Sequence, residues 1–233
     1  MRHSVVLCLS CLLLALNTGL SDAATNPAPT PPDECQAGLN SYKSKNYSAA
    51  VDQFSICLEF NLPSDVRVYV LQKRAQSFRG LNNFKSAVQD QKNSLELKAP
   101  EDVWPHIHLA VYFRELKQYD LALAALKEAT KYDEDGPGSG PGMAVYYHTG
   151  WTLHEAGRYR EAIEAYTLGI PKQTDFGVAL YRRALSYEAV GDRKRAKQDL
   201  AGAAKLAPSE GYGAEITAKL MEYGFSVKSR APK

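Results

Sequence analysis

A pattern of small residues answered by large ones returns five times between Asp33 and Pro208. Its clearest copy is the stretch G-R-Y-R-E-A-I-E-A-Y, Gly157 to Tyr166. Gly157 sits in a tight turn and Tyr159 opens a helix. Ala162 and Tyr166 stand four positions apart, on one face of that helix. The helix before the turn carries Thr149, Gly150 and Leu153 at similar spacing. Small residues facing large ones let two antiparallel helices approach closely.

The other copies follow the same register. The first has Ala37, Gly38 and Tyr42, then Tyr47, Ala50, Phe54 and Cys57, ending at Pro63. The second has Arg74, Ala75 and Phe78, then Phe84, Ala87, Val88 and Leu95, ending at Pro100; Gln91 stands where the pattern asks for an aromatic. The third has Leu109, Ala110 and Phe113, then Tyr119, Ala122, Leu126 and Ala129, with Pro105 suited to the first turn of its first helix. The fifth has Arg183, Ala184 and Tyr187, then Gly191, Ala196, Leu200 and Ala203, with Arg193 in an aromatic's place. Each match alone is weak, but five in register at near-constant spacing mark a repeat array.

These residues resemble the tetratricopeptide repeat, a helix–turn–helix unit of about 34 residues. The resemblance implies an all-α, right-handed solenoid of about five helical hairpins. Units are expected near residues 33–63, 65–100, 103–135, 143–172 and 175–208. Ile216, Leu220 and Tyr223 share one helical face, so 211–225 reads as a capping helix over the open end, with Gly224 as its stop and Phe225 folding back. Between units three and four, Gly136 to Gly142 reads G-P-G-S-G-P-G and cannot be helical.

In this family the first helices line a concave groove. The resemblance therefore places Tyr69, Gln72, Gln76 and Arg79 there from unit two, and Trp104, Ile107, Val111 and Arg114 from unit three. Units four and five add Tyr147, Trp151 and His154, then Tyr181, Leu185 and Glu188. Aromatics and arginines dominate binding hot spots, so Arg79 and Arg114 are expected as charged anchors of an aromatic-lined groove. The chaperone-binding members grip a terminal carboxylate with asparagines; Leu39, Gln76 and Val111 occupy those slots, which argues against that ligand.

The N-terminus reads as an export signal over 1–23. Arg2 and His3 give a short positive start, and Val5 to Leu16 is apolar apart from Ser10. Small residues around Ala23 and Ala24 suit cleavage; an uncleaved anchor is the alternative. The run Asn26 to Pro32 holds four prolines and reads as an extended linker within 24–32. The 226–233 tail is basic. Cys8 and Cys11 lie in the leader, leaving Cys35 and Cys57. In an exported chain that pair suggests a disulfide, and antiparallel helices bring the two positions together. Two buried free thiols are the alternative.

Net charge is +2, too near neutral for a nucleic-acid binder. No catalytic constellation stands out, and no cofactor or metal is expected. His106 and His108 diverge on a helix, and His148 and His154 are six apart. Asp133, Glu134 and Asp135 lack the alternating oxygens of a calcium loop. The reading is a non-catalytic scaffold, periplasmic in a bacterium and secreted otherwise. It holds a protein or peptide in its groove and does not stay in the membrane after leader cleavage. The alternatives are an immunity-type inhibitor of one toxic enzyme and a glycan-binding protein of an envelope or polysaccharide-export system.

Overall fold

The computed structural model describes residues 32–132, 142–173, 176–206 and 213–224. The leader, the proline-rich linker before Pro32, the acidic turn at 133–135, the glycine–proline loop before Gly142, Phe225 and the basic tail lie outside the described residues.

Among the described residues, eleven α-helices form five antiparallel pairs and a final single helix. The pairs are α1 (Asp33–Lys43) with α2 (Tyr47–Cys57), α3 (Ser64–Gly80) with α4 (Phe84–Leu97), and α5 (Trp104–Glu115) with α6 (Tyr119–Ala129). They continue with α7 (Met143–Glu155) and α8 (Tyr159–Gly169), then α9 (Gly177–Ala189) and α10 (Arg193–Leu206). The last helix is α11 (Gly213–Glu222), which packs on α10 and buries Ile216 and Leu220.

One turn geometry closes every pair. The residue at its tip has a left-handed backbone: Lys45, Asn82, Lys117, Gly157 and Gly191, with φ between 57° and 81°. The next backbone N–H reaches back to the carbonyl five residues earlier. These bonds run Asn46 to Ser41, Asn83 to Phe78, Gln118 to Phe113, Arg158 to Leu153 and Asp192 to Tyr187, at 2.8–2.9 Å. This six-to-one closure satisfies carbonyls that the helix end would otherwise orphan. Asn46 and Asn83 then cap the following helices, their side chains accepting from Ala49 N and Ser86 N.

Small-on-large packing holds each pair. A Cβ at Gly150 would lie 2.8 Å from the Tyr166 ring, and one at Gly38 would lie 2.6 Å from Phe54. Both rings are fully buried. Burying side chains of this size stabilises by roughly 1.5–3 kcal/mol each. Gln91, in its aromatic's slot, is also fully buried. Its amide donates to Ser94 Oγ at 3.3 Å, while Oε1 has no partner among the described residues. Cys35 and Cys57 are bonded, with Cα atoms 5.0 Å apart, and cross-link α1 to α2.

Each second helix packs on the first helix of the next pair. The first helices also touch one another, α1 with α3, α5 with α7 and α7 with α9, which makes them the inner layer of the stack.

Candidate ligand-binding face

The inner layer carries side chains that reach across units. At one end Tyr42 donates its hydroxyl to Gln76 Oε1 at 2.6 Å, tying α1 to α3. The Lys73 ammonium lies 5.2 Å from the Tyr42 ring centre and 5.3 Å from that of Tyr69. Burial lowers the Lys73 pKa.

Beside these residues opens a cleft of about 600 Å³, lined by Tyr42, Tyr47, Gln76, Arg79, His108 and Glu115 among others. Arg79 is exposed, and its guanidinium makes no ion pair among the described residues. His108 connects the cleft to Trp104, whose ring centre is 6.2 Å away and which is 47% exposed. On its other side His108 stacks on Tyr112 at 6.5 Å. Tyr112 is fully buried, and its hydroxyl has no hydrogen-bond partner among the described residues. Burial holds the His108 pKa down to about 4, and the charges of Arg79 and Lys73 add to the effect.

At the other end of the layer the side chains engage one another around a smaller cleft of about 220 Å³ beside Arg114, Trp151 and Glu155. The Trp151 indole on α7 meets Arg114 from α5 and Arg182 from α9, each guanidinium 3.8 Å from the ring centre. Trp151 Nε1 donates to Glu155 Oε1 at 3.2 Å, and the His148 ring stacks on the indole at 6.3 Å. Burial, then Arg114, His108 and Arg79, hold the His148 pKa down to about 3. Tyr147 packs edge-on against Trp151 at 5.7 Å and Phe176 at 5.1 Å. His154 Nδ1 is 2.9 Å from Ser186 Oγ. Glu188 accepts from Tyr223 Oη at 2.9 Å and lies 3.3 Å from Lys219 Nζ, so it holds the cap.

The fourteen groove positions named from sequence therefore divide, with Gln72 and Leu185 half-buried between the two extremes. Tyr69, Gln76, Arg79 and Trp104 are on the accessible part of the layer. Ile107, Val111, Arg114, Tyr147 and Tyr181 are buried; Arg114 is only 5% exposed and supports Trp151. Its expected role as an open anchor is corrected on this point: the neighbouring first helices fold over it. Trp151, His154 and Glu188 are committed to contacts within the chain. Sequence reasoning missed Tyr42, Lys73, His108 and Arg182. The 34-residue separation of Tyr42 and Gln76, one repeat length, is the signal that could have found the first of them.

Among the described residues no cluster of histidine, cysteine or acidic side chains could hold a metal, and no helix is long and apolar enough to cross a membrane.

Helical hairpins stacked with one turn geometry and a first-helix inner layer define a helical-repeat solenoid. Tetratricopeptide-repeat family models match residues 106–135 and 178–209, the third and fifth pairs. The chain carries tetratricopeptide repeats, and the other three pairs share their helix–turn–helix geometry. Its fold is similar to the crystal structure of MamA (TM-score 0.60, 19% identity, covering 84% of this chain and 96% of that one). It is also similar to YrrB, described as a TPR protein with an unusual peptide-binding site (TM-score 0.58, 16% identity, 81% and 92% covered). A third likeness is to a Podosopora anserina putative kinesin light chain with nearly identical TPR-like repeats (TM-score 0.60, 14% identity, 75% and 93% covered). No curated protein matches the sequence.

Proposed function

We propose that this chain is a non-catalytic recognition scaffold that holds a protein or peptide on the open half of its first-helix layer, outside the cytoplasm. The observation that carries the reading is the cleft beside Trp104. Aromatic rings and a guanidinium without an ion pair face solvent there, while Trp151, His154 and Glu188 further along the layer are engaged by contacts within the chain. Such residues bind well because they bury large area while losing little rotamer freedom. The peptide-binding site in YrrB's description is consistent with this use of the fold. The bonded Cys35–Cys57 pair supports an oxidising compartment.

A photo-crosslinking side chain at Trp104, in the native compartment, tests the reading. Leu168, 58% exposed on α8, serves as the control position. Specific protein adducts at 104 and none at 168 are expected. No adduct at 104 from a folded chain would refute it. Compartment is tested separately: labelling of the unreduced, denatured chain should find Cys35 and Cys57 unreactive.

A further inference from the structure

We propose that the cleft takes an acidic peptide segment, placing a side-chain carboxylate on Arg79 and a neighbouring apolar or aromatic side chain against Trp104. This rests on the recognition reading above and names the partner's chemistry.

The charge balance of the cleft carries the argument. Arg67, Arg74, Arg158, Arg183 and Arg195 all donate to carboxylates or backbone carbonyls. Arg79 does not, although it faces a cleft of about 600 Å³. Lys73 stands behind it on the same helix, over two tyrosine rings and without an ion pair among the described residues. The one carboxylate lining this cleft is Glu115, which already lies 3.6 Å from Arg114. The field of Arg79 reaches Tyr42, His108, Tyr112 and His148, so it acts over much of this face. His108 is held neutral there, so the positive charge beside the cleft is that of Arg79 and Lys73. Asp102 and Asp90 also act on His108 and Tyr112, but neither pairs with Arg79 or Lys73 among the described residues, and two cations left without an ion pair favour an anion.

The shape selects a peptide over a bare oxyanion. The cleft is walled by tyrosines and amides, and its lining residue His108 lies 6.2 Å, ring centre to ring centre, from the exposed Trp104 indole. A small anion would leave that indole uncovered. A peptide alternating carboxylates with rings covers both.

The test uses the full chain and two fluorescein-labelled peptides, GEFEEFEG and its all-glutamine counterpart GQFQQFQG, read by anisotropy at two salt concentrations. The acidic peptide should bind at least tenfold tighter, and weaken with salt. Arg79→Gln should remove most of that difference with folding intact, Trp104→Ala should weaken both peptides, and Arg160→Gln should change nothing. Equal binding of the two peptides, lost in Trp104→Ala, overturns the acidic class and leaves the recognition face standing. Displacement by inorganic phosphate at equal charge assigns the site to a small oxyanion and overturns the peptide. Binding of neither peptide overturns the proposal; crosslinking at 104 then decides by itself whether the face recognises protein.

Discussion

Arg74 and Asp90 are joined by two parallel hydrogen bonds, Nε to Oδ2 at 2.7 Å and Nη2 to Oδ1 at 2.8 Å, across the second helix pair. Arg183 and Asp199 repeat the arrangement in the fifth pair at 2.6 and 2.8 Å, with the same 16-residue separation. The remaining nitrogen of each fork reaches a hydroxyl of the preceding unit, Ser55 at 3.0 Å and Thr167 at 3.1 Å. One guanidinium thus fastens a pair internally and to its neighbour.

Asp90 is nearly buried, with its side chain 5% exposed. Asp90→Ala strands the Arg74 charge and should cost about 3 kcal/mol. Arg74→Met combined with Asp90→Leu should cost less than Asp90→Ala alone. Urea melts of the variants check this; additive losses would show that the two side chains do not act as a pair.

Trp151 carries two guanidiniums, so Trp151→Leu should lower stability by about 2 kcal/mol or more. In that background Arg182→Ala should cost little, because its stacking partner is already gone. A double-mutant cycle measures the coupling; a coupling near zero would refute the clamp.

The turn tips predict opposite signs. Gly157 has φ 76° and open space around a would-be Cβ, so Gly157→Ala meets backbone strain alone and should cost about 1 kcal/mol. Lys117 adopts φ 59° with a side chain, so Lys117→Gly should stabilise by about 0.5 kcal/mol. Melting temperatures should move in opposite directions.

His108 and His148 are held below their ordinary value of 6.5, to about 4 and about 3. The unfolded chain therefore takes up their protons first. Stability is complete above about pH 6.5 and falls as pH drops from there through 4 and 3. Urea melts between pH 7 and 4.5 should show this slope, and His108→Gln with His148→Gln should flatten it. A slope that begins only below pH 4.5 would assign the loss to carboxylates.

The disulfide closes 22 residues of chain. In the chain-entropy model its reduction should cost about 3 kcal/mol. Melts with and without reductant, against a Cys35→Ser, Cys57→Ser variant, measure it.

The repeat was legible because its packing is local: Gly150 against Tyr166 and Gly38 against Phe54 lie within one unit. The cross-link was legible for the same reason. The inner layer was not, because its burial is decided between units. Arg114 and Tyr147 occupy positions that face a groove on one hairpin, but they disappear when the next first helix leans on them. The ion pairs were half visible: Arg74-Ala75 and Arg183-Ala184 stand in the repeat pattern, while Asp90 and Asp199 lie outside it. Left-handed Lys45, Asn82 and Lys117 carried no glycine to announce them.

Tyr42 and Tyr47 wall the cleft, and they belong to the same two helices that Cys35 and Cys57 tie together. A linear array frays from its ends inward. In the oxidised chain the end that bears the cleft is locked, while the capped end, held by Tyr223 and Lys219 on Glu188, is free to breathe without loosening the pocket. Reduction reverses that order, so ligand capture should be lost before the distal pairs exchange their amide hydrogens. The thiol state of two residues that do not line the cleft thereby sets how long the cleft keeps its shape.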